Sequence, residues 1–452
     1  MPTTTAEQNE TILIKSASLE SWRAFFSVLV AHLETNNISQ WNFTGEYPLC
    51  EKVFSLSPPP FDQVAFAVLV GIVFLSFIAV SALFFIWLER KVSGRIQDRL
   101  GPTRVGGKYG WLQTIADGIK LLVKEDTRPT IADRFLFLIA PYVGFVASFC
   151  AFISLPFSTD LVGIELQVSA FFVLAILSSE IFAVILAGYA SGSKWSLFGG
   201  IREAAQVVSY EIPRSICVVI PVILAGSLSL NTIGQQQGGY FWNWFMFHDP
   251  FSFLSFFLFF VVATASCKRA PFDLAEAESE LVAGFHTEYS GLRWSFFFMA
   301  EYGSMFAVSA VCALLYCGGW HTGFLPFDPS TQWGWFGHLF NAIVLILKGY
   351  FFVFVMMWMR WSLPRLRIDQ VMITCLKYFL PIACALLIGT CLWELFVPSG
   401  IENMWQYVIS ISSLLALILI VGRMFVAPIA TTHGQLPGAW QLQPATLTEG
   451  KS

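Results

Sequence analysis

Charge is scarce in this chain: Asp, Glu, Lys and Arg make up 12% of its 452 residues, too little to cover the surface of one soluble domain of that length. Its 26 basic residues are outnumbered by 30 acidic ones, so there is no electrostatic footprint for nucleic acid. The nine cysteines include no C-x-x-C pair, and Cys150, Cys217, Cys312, Cys384 and Cys391 sit in apolar runs, where thiols behave as small hydrophobes. That pattern excludes an iron–sulfur or zinc motif and a disulfide scaffold, and any redox cofactor is expected on another chain. No internal repeat of the kind that marks secondary transporters is present. The first 60 residues carry one short apolar stretch, Trp22 to Leu33, but no basic leader segment or small-residue cleavage site, so they read as a mature extension and not a signal peptide.

What is abundant is apolar. Hydrophobic residues reach 56%, with 45 Phe and 16 Trp, which places the chain among all-α polytopic membrane proteins. Residues 64–88 are 25 uncharged residues, enough to span a bilayer as a helix. Similar runs follow near 135–155, 167–190, 213–230, 251–266, 295–316, 338–359, 378–396 and 404–426, for about nine expected spans. Alternate connections (89–134, 191–214, 267–295 and 360–377) hold 20 of the 26 basic residues, and the opposite ones (156–166, 231–250, 317–337, 397–403) hold none. This asymmetry predicts cytoplasmic basic loops, an extracytoplasmic N-terminal extension (1–60) and a cytoplasmic tail (428–452). Pro213, Pro221 and Pro381 predict kinks packed against neighbouring helices.

The first basic loop, ERKVSGRIQDRLGPTRVGG, sets Glu89, Arg90, Lys91, Arg95, Arg99 and Arg104 among glycines. It reads either as a topology anchor or as a folded, protein-covered loop, with Ile96 and Leu100 buried. Next, Leu112, Ile115, Ala116, Ile119, Leu122 and Val123 recur at helical spacing, with Gln113, Asp117, Lys120 and Lys124 off that stripe, which predicts an amphipathic helix on the membrane surface. The second loop offers Arg202, Glu203, whose plain reading is a cap or a snorkelling acid, and Glu211 at the membrane edge. The last offers Arg360, Arg365, Arg367 and Asp369, sufficient as an anchor and able to hold carboxylates by paired hydrogen bonds.

Residues 266–302, SCKRAPFDLAEAESELVAGFHTEYSGLRWSFFFMAEY, concentrate Asp273, Glu276, Glu278, Glu280, Glu288 and Glu301 against Lys268, Arg269 and Arg293. A D-x-x-E helix start accounts for Asp273 and Glu276. It does not account for three glutamates two residues apart, or for Glu301 inside an apolar run. Crowded or desolvated carboxyls exchange protons near neutral pH. Glu180, in LAILSSEIFAVILAGY, is a carboxyl within a predicted membrane helix and marks a functional position by default.

RAPFDLAEAESELVAGFHTEYSG with FFMAEY, together with ERKVSGRIQDRLGP, the ADGIKLL helix, GGIREAAQVVSYE and PRLRIDQ, closely resembles the H subunit (chain 1) of proton-pumping NADH–quinone oxidoreductase, respiratory complex I, over roughly residues 62–397. The resemblance implies a subunit domain over 61–397, followed by an additional helix at 398–427. It implies a place where the membrane arm meets the peripheral arm, with quinone as substrate and flavin and iron–sulfur clusters on partner subunits. It assigns the quinone path to Glu89, Arg90, Arg95, Arg99, Asp117, Lys120, Phe298, Tyr302, Arg360 and Arg365, and Phe297, beside Phe298, is expected to add apolar wall to that path. To the proton relay it assigns Glu211, Asp273, Glu276, Glu278, Glu280, Glu288 and Glu301. Three features depart from the family: Ser266 stands where a Glu is common, Thr114 where a Pro is common, and the N-terminal extension and ninth helix exceed the shortest members. Glu180 is expected to supply the carboxyl that Ser266 lacks. The competing readings are an anchor subunit of a related hydrogenase or ferredoxin-driven pump, and a secondary cation carrier.

Overall fold

The computed structural model describes residues 60–274 and 278–426; the apolar stretch Trp22–Leu33, Cys50 and residues 428–452 lie outside them. The described chain is helical throughout, with no strand among these residues. Its principal helices are α1 Pro60–Ile96, α2 Gln113–Val123, α3 Arg134–Ile153, α4 Ser169–Ala190, α5 Lys194–Ala225, α6 Pro250–Ser266, α7 Gly291–Tyr316, α8 Trp335–Ser362, α9 Ile368–Phe396 and α10 Ser399–Val426. Seven of them (α1, α3, α4, α5, α7, α8 and α9) are long and apolar enough to cross a membrane. Of the nine expected spans, the other two fall on α6, with 17 residues, and on α10.

Three boundaries differ from the sequence reading, for related reasons. Helix α1 continues through Ile96, so Glu89 and Arg90 are helical and not the start of a loop. The first charge marks the edge of the apolar segment, and the backbone hydrogen-bond ladder runs on past it. The expected loop 191–214 is the first half of α5, which passes through both Pro213 and Pro221. Its Gly199 and Gly200 are buried and serve close packing: a Cβ on Gly188 of α4 would come within 2.7 Å of the Ser196 carbonyl and 3.3 Å of Gly200 Cα. Small residues here let two backbones approach, although Gly-Gly beside an arginine reads as a turn. Helix α9 begins at Ile368, not near 378, and carries a π-helical turn over Thr374–Phe379 ahead of Pro381, a way of absorbing the N–H that proline lacks.

Helix α7 is the axis of the bundle. From Ala300 to its end at Tyr316 every residue is buried, the signature of a helix surrounded on all sides. Gly303, Ser304, Ala307, Ala310 and Ala313 keep it slim, and Phe306 stacks on Phe152 and meets Phe77 edge-on at 5.3 Å. Helix α2 forms as expected, and its stripe is open: Leu112, Ile115, Ile119, Leu122 and Val123 are exposed, whereas Thr114 is buried. Ile96 and Leu100, expected to be covered, are also exposed, Leu100 at 84%, because nothing among the described residues reaches over them. The connection is folded nonetheless, by Trp87 stacked on Trp111 at 4.0 Å and by Lys91 Nζ donating to the Pro102 carbonyl at 2.6 Å.

Candidate functional site

The C-terminal ends of α1, α6 and α8 and the N-terminal half of α7 meet at one end of the bundle, and Glu89 is their shared acceptor. Its Oε1 takes hydrogen bonds from Arg269 Nη1 at 3.1 Å and Arg360 Nη1 at 2.5 Å, and its Oε2 takes one from the Tyr302 hydroxyl. Arg269 Nε lies 2.7 Å from Glu301 Oε1, an ion-pair contact whose angle falls short of a hydrogen bond. The Arg269 guanidinium also sits over the Tyr302 ring, 4.7 Å from its centroid. Glu89, Arg269, Glu301 and Tyr302 are all buried, and Arg360 is half-buried. Two guanidiniums thus meet two carboxyls with a phenol between them, in a setting where charged hydrogen bonds are at their strongest. Phe298 approaches Tyr302 edge-on at 5.0 Å and stacks on Trp294 at 4.8 Å, giving the network an apolar flank.

A second polar cluster lies beside the first, around Ser266. Arg214, wholly buried on α5, donates through Nη1 to Ser266 Oγ and through Nη2 to Ser178 Oγ at 3.1 Å. The same Nη2 lies 3.4 Å from Glu211 Oε1, which also accepts from Ser178. The position where the family often carries a carboxylate is therefore occupied here by a hydroxyl held by a buried guanidinium. Glu180, on α4, does not join it; its Oε1 pairs with Lys268 Nζ at 3.0 Å. Asp273, half-buried in the connection after α6, lies within electrostatic reach of both Glu203 on α5 and Glu301 on α7.

The acid-rich connection itself is mostly irregular, with one short turn at Glu278–Leu281 and another at Gly284–His286. Glu276 and the side chain of Glu278 lie outside the described residues. Glu280 is exposed and accepts from Arg202 Nη1 at 2.5 Å. That bond, with Arg202, Arg365 and Arg367 nearby, holds its carboxyl below the usual range. At Glu280 itself the neighbouring arginines therefore favour the ionised carboxylate. Glu288 is half-buried in the turn that leads to α7. His286 is pushed down to about 4, by burial first and then by Lys268.

The remaining expected quinone-path residues divide into an outer and an inner group. Arg90 pairs with Asp117 at the surface, and Arg95, Arg99 and Lys120 are exposed, the Arg99 side chain reaching only Gln97 among the described residues. Arg365 is half-buried, with Nη2 lacking a hydrogen-bond partner among the described residues. Phe297 turns away from Tyr302 into a separate apolar cluster with Phe137, Phe285 and Tyr289. A polar cavity of about 390 Å³, lined by Gln235, Tyr240, Asn243, His321 and Asp328, opens at the opposite end of the bundle, away from these carboxyls. Sequence reasoning missed the parts played by Arg269, Arg214 and Lys268. The signal was there in their placement, since a basic residue at the tip of an apolar run is a membrane anchor only if it reaches water, and these three do not.

The family profile described as NADH dehydrogenase matches residues 69–391. The chain is 46% identical over 332 residues to the H subunit of NADH-quinone oxidoreductase from Chlorobium luteolum, covering 72% of this chain and 88% of that one. It is 40% identical over 372 residues to the subunit of the same name from Anaeromyxobacter dehalogenans, covering 80% and 86%. The corresponding subunit from Geobacillus kaustophilus is 42% identical over 328 residues, covering 72% and 93%. Similarity of that depth, over the whole bundle from α1 to α9, assigns the chain: it belongs to the NADH dehydrogenase family and is an H subunit of NADH-quinone oxidoreductase, one membrane-spanning component of that enzyme complex.

Proposed function

We propose that this chain walls the inner part of the quinone cavity and passes the consequence of quinone reduction to its buried carboxyls, which start proton translocation. The observation that carries this reading is the network centred on Glu89. A quinone headgroup gaining electrons needs nearby proton donors and cations, and Tyr302, Arg269 and Arg360 gather these at one point. Phe298 and Trp294 supply an apolar flank suited to an isoprenoid tail. The exposed Arg90, Arg95, Arg99 and Lys120, with the half-buried Asp117 paired to Arg90, form the outer rim, where the peripheral-arm subunits would close the cavity. Flavin and iron–sulfur clusters belong to those partners, and the chain itself supplies no electron carrier. From the inner network the relay runs through Glu301 and Asp273 to Ser266, Arg214 and Glu211, with Glu180 alongside as the carboxyl that Ser266 lacks. The loops bearing these residues face the cytoplasm, with the N-terminus outside.

Both competing readings are disfavoured by the names of the relatives, which carry neither hydrogenase nor carrier function. The test is Tyr302→Phe in the assembled complex, assayed for donor-to-quinone turnover and for electron transfer to a hydrophilic acceptor that bypasses the quinone. Loss of one hydrogen bond to a charged group, about 1.5–3 kcal/mol, should lower quinone turnover by one to two decades and leave the bypass rate intact. Equal loss of both activities in an assembled complex, or of neither, would count against a quinone role.

A further inference from the structure

The relay just described includes one buried cation, Arg214, held against Ser266, and the interior beside Ser266 holds a second. Lys268 is 6% exposed and donates through Nζ to Glu180 Oε1 at 3.0 Å. Its backbone lies in the left-handed region at φ 54°, uncommon for lysine, so tertiary contacts hold this turn in place. Glu203, on α5, is 0% exposed, and neither carboxylate oxygen has a hydrogen-bond partner among the described residues. A buried, unpartnered carboxyl is costly to keep charged, and a proton or an arriving cation removes that cost. Gln206, one turn along α5 from Glu203, donates to the Ala265 carbonyl at 3.0 Å, so Glu203 stands beside the turn that carries Lys268, and Glu180 and Glu203 are the two carboxyls that act most strongly on the ammonium. Burial works to lower its pKa, but Glu180 and then Glu203 outweigh it and push it above the usual lysine range, so the ammonium stays charged. Tyr210, Asp273, His286, Cys267 and Glu301 are the other titratable groups around the three.

We propose that Lys268 is a movable cation, transferring its ion pair from Glu180 to Glu203 while one proton passes from Glu203 to Glu180. In the first arrangement Glu180 is ionised against Lys268 and Glu203 bears the proton. In the second, Lys268 neutralises the Glu203 carboxylate and Glu180 is protonated. A positive charge and a proton exchange places, and the three groups sum to zero charge in both. Lysine suits the task because its ammonium is a point charge on a flexible four-carbon stem, whereas an arginine fork is held in one geometry. Asp273, acting on both Glu203 and Glu301, links this exchange to the quinone-side network. The inference rests on the proton-relay part of the proposed function, and names a lysine and an additional glutamate within it.

The test uses the assembled complex in sealed vesicles, recording donor-to-quinone turnover and proton uptake for Glu203→Gln, Lys268→Arg, the double variant Lys268→Met/Glu180→Gln, and Glu301→Gln as control. A movable cation predicts that Glu203→Gln cuts proton uptake by at least about tenfold, in keeping with the loss of a proton-transfer group. It also predicts that the charge-neutral double variant assembles but fails to pump. Should Glu203→Gln not assemble, Lys268→Arg decides, since it keeps the charge: slowed pumping supports the exchange and parental pumping overturns it. If the double variant and Glu203→Gln pump at the parental level while Glu301→Gln does not, Glu180–Lys268 is a static structural pair and only this inference falls. If Glu301→Gln also pumps normally, the relay reading falls with it.

Discussion

Replacing Glu89 by Gln keeps the shape of the residue and removes one negative charge from a group of four. Before the change, Arg269 and Arg360 are balanced by Glu89 and Glu301; afterwards Arg269 retains only Glu301, and Arg360 loses its one carboxylate partner among the described residues. Breaking a buried pair from one side costs about 3–5 kcal/mol, and water screens part of the loss here because the Arg360 side chain is 28% exposed. The expected cost is therefore at the lower end, about 3 kcal/mol, or about two decades in the equilibrium that keeps this end of the bundle closed. The double variant Glu89→Gln/Arg360→Met restores the balance and should recover about 2 kcal/mol of that loss. The measurements are the fraction of the chain found in assembled complex on native gels and the half-life of quinone reductase activity on heating. A single variant as abundant and durable as the parent, or a double variant no better than the sum of its parts, would refute the picture of Glu89 as the acceptor that holds the two arginines together.

Two further outcomes follow from other parts of the molecule. His286 has its pKa lowered from 6.5 to about 4, so the unfolded loop binds a proton that the folded loop refuses between those values. The order of residues 278–290 should accordingly be lost as pH falls from about 6.5 towards 4, seen as faster amide exchange and proteolysis at pH 5 than at pH 7.5. His286→Gln should flatten that dependence, and an unchanged slope would remove histidine as its cause. From the 20-to-none division of basic residues between alternate connections, Cys50 should react with an impermeant thiol reagent on intact spheroplasts while a C-terminal tag stays protected; the reverse pattern would invert the topology.

Much of the site was legible because its residues announce themselves against an apolar background. Glu89, Glu301 and Tyr302 stood out as polar groups at the tips or inside of apolar runs, and the structure brings all three together. What could not be read was partnership. Glu89 meets Arg269 and Arg360 across separations of 180 and 271 residues, and Lys268 meets Glu180 across 88; neither periodicity nor spacing reaches so far. Arg360 read as an anchor able to hold carboxylates but with no named partner, and Arg269 as a mere counter-charge, since residue type alone does not say whether a side chain ends in water or inside the protein. The helix boundaries failed for a different reason. Glycines and prolines punctuate loops in soluble chains, but in a packed bundle they also allow close contact, as Gly188 and Gly200 do, or are absorbed within a continuing helix, as Pro213 and Pro221 are.

The seven long helices do not share the task of meeting their surroundings equally. In α7, 89% of the spanning window is buried, against 22% in α1 and in α9. A helix with so little outward surface gains almost nothing from acyl chains and is stabilised by its neighbours. During synthesis α7 is therefore the segment most dependent on companions, leaving the insertion machinery into a place that α1 and α3 have prepared and that α8 later closes. In the finished protein that dependence becomes insulation. Changes in bilayer thickness or lipid composition are borne by the rims of α1 and α9, where mismatch is met by tilting, while Glu301 and Tyr302 ride on the one spanning helix that lipid scarcely touches.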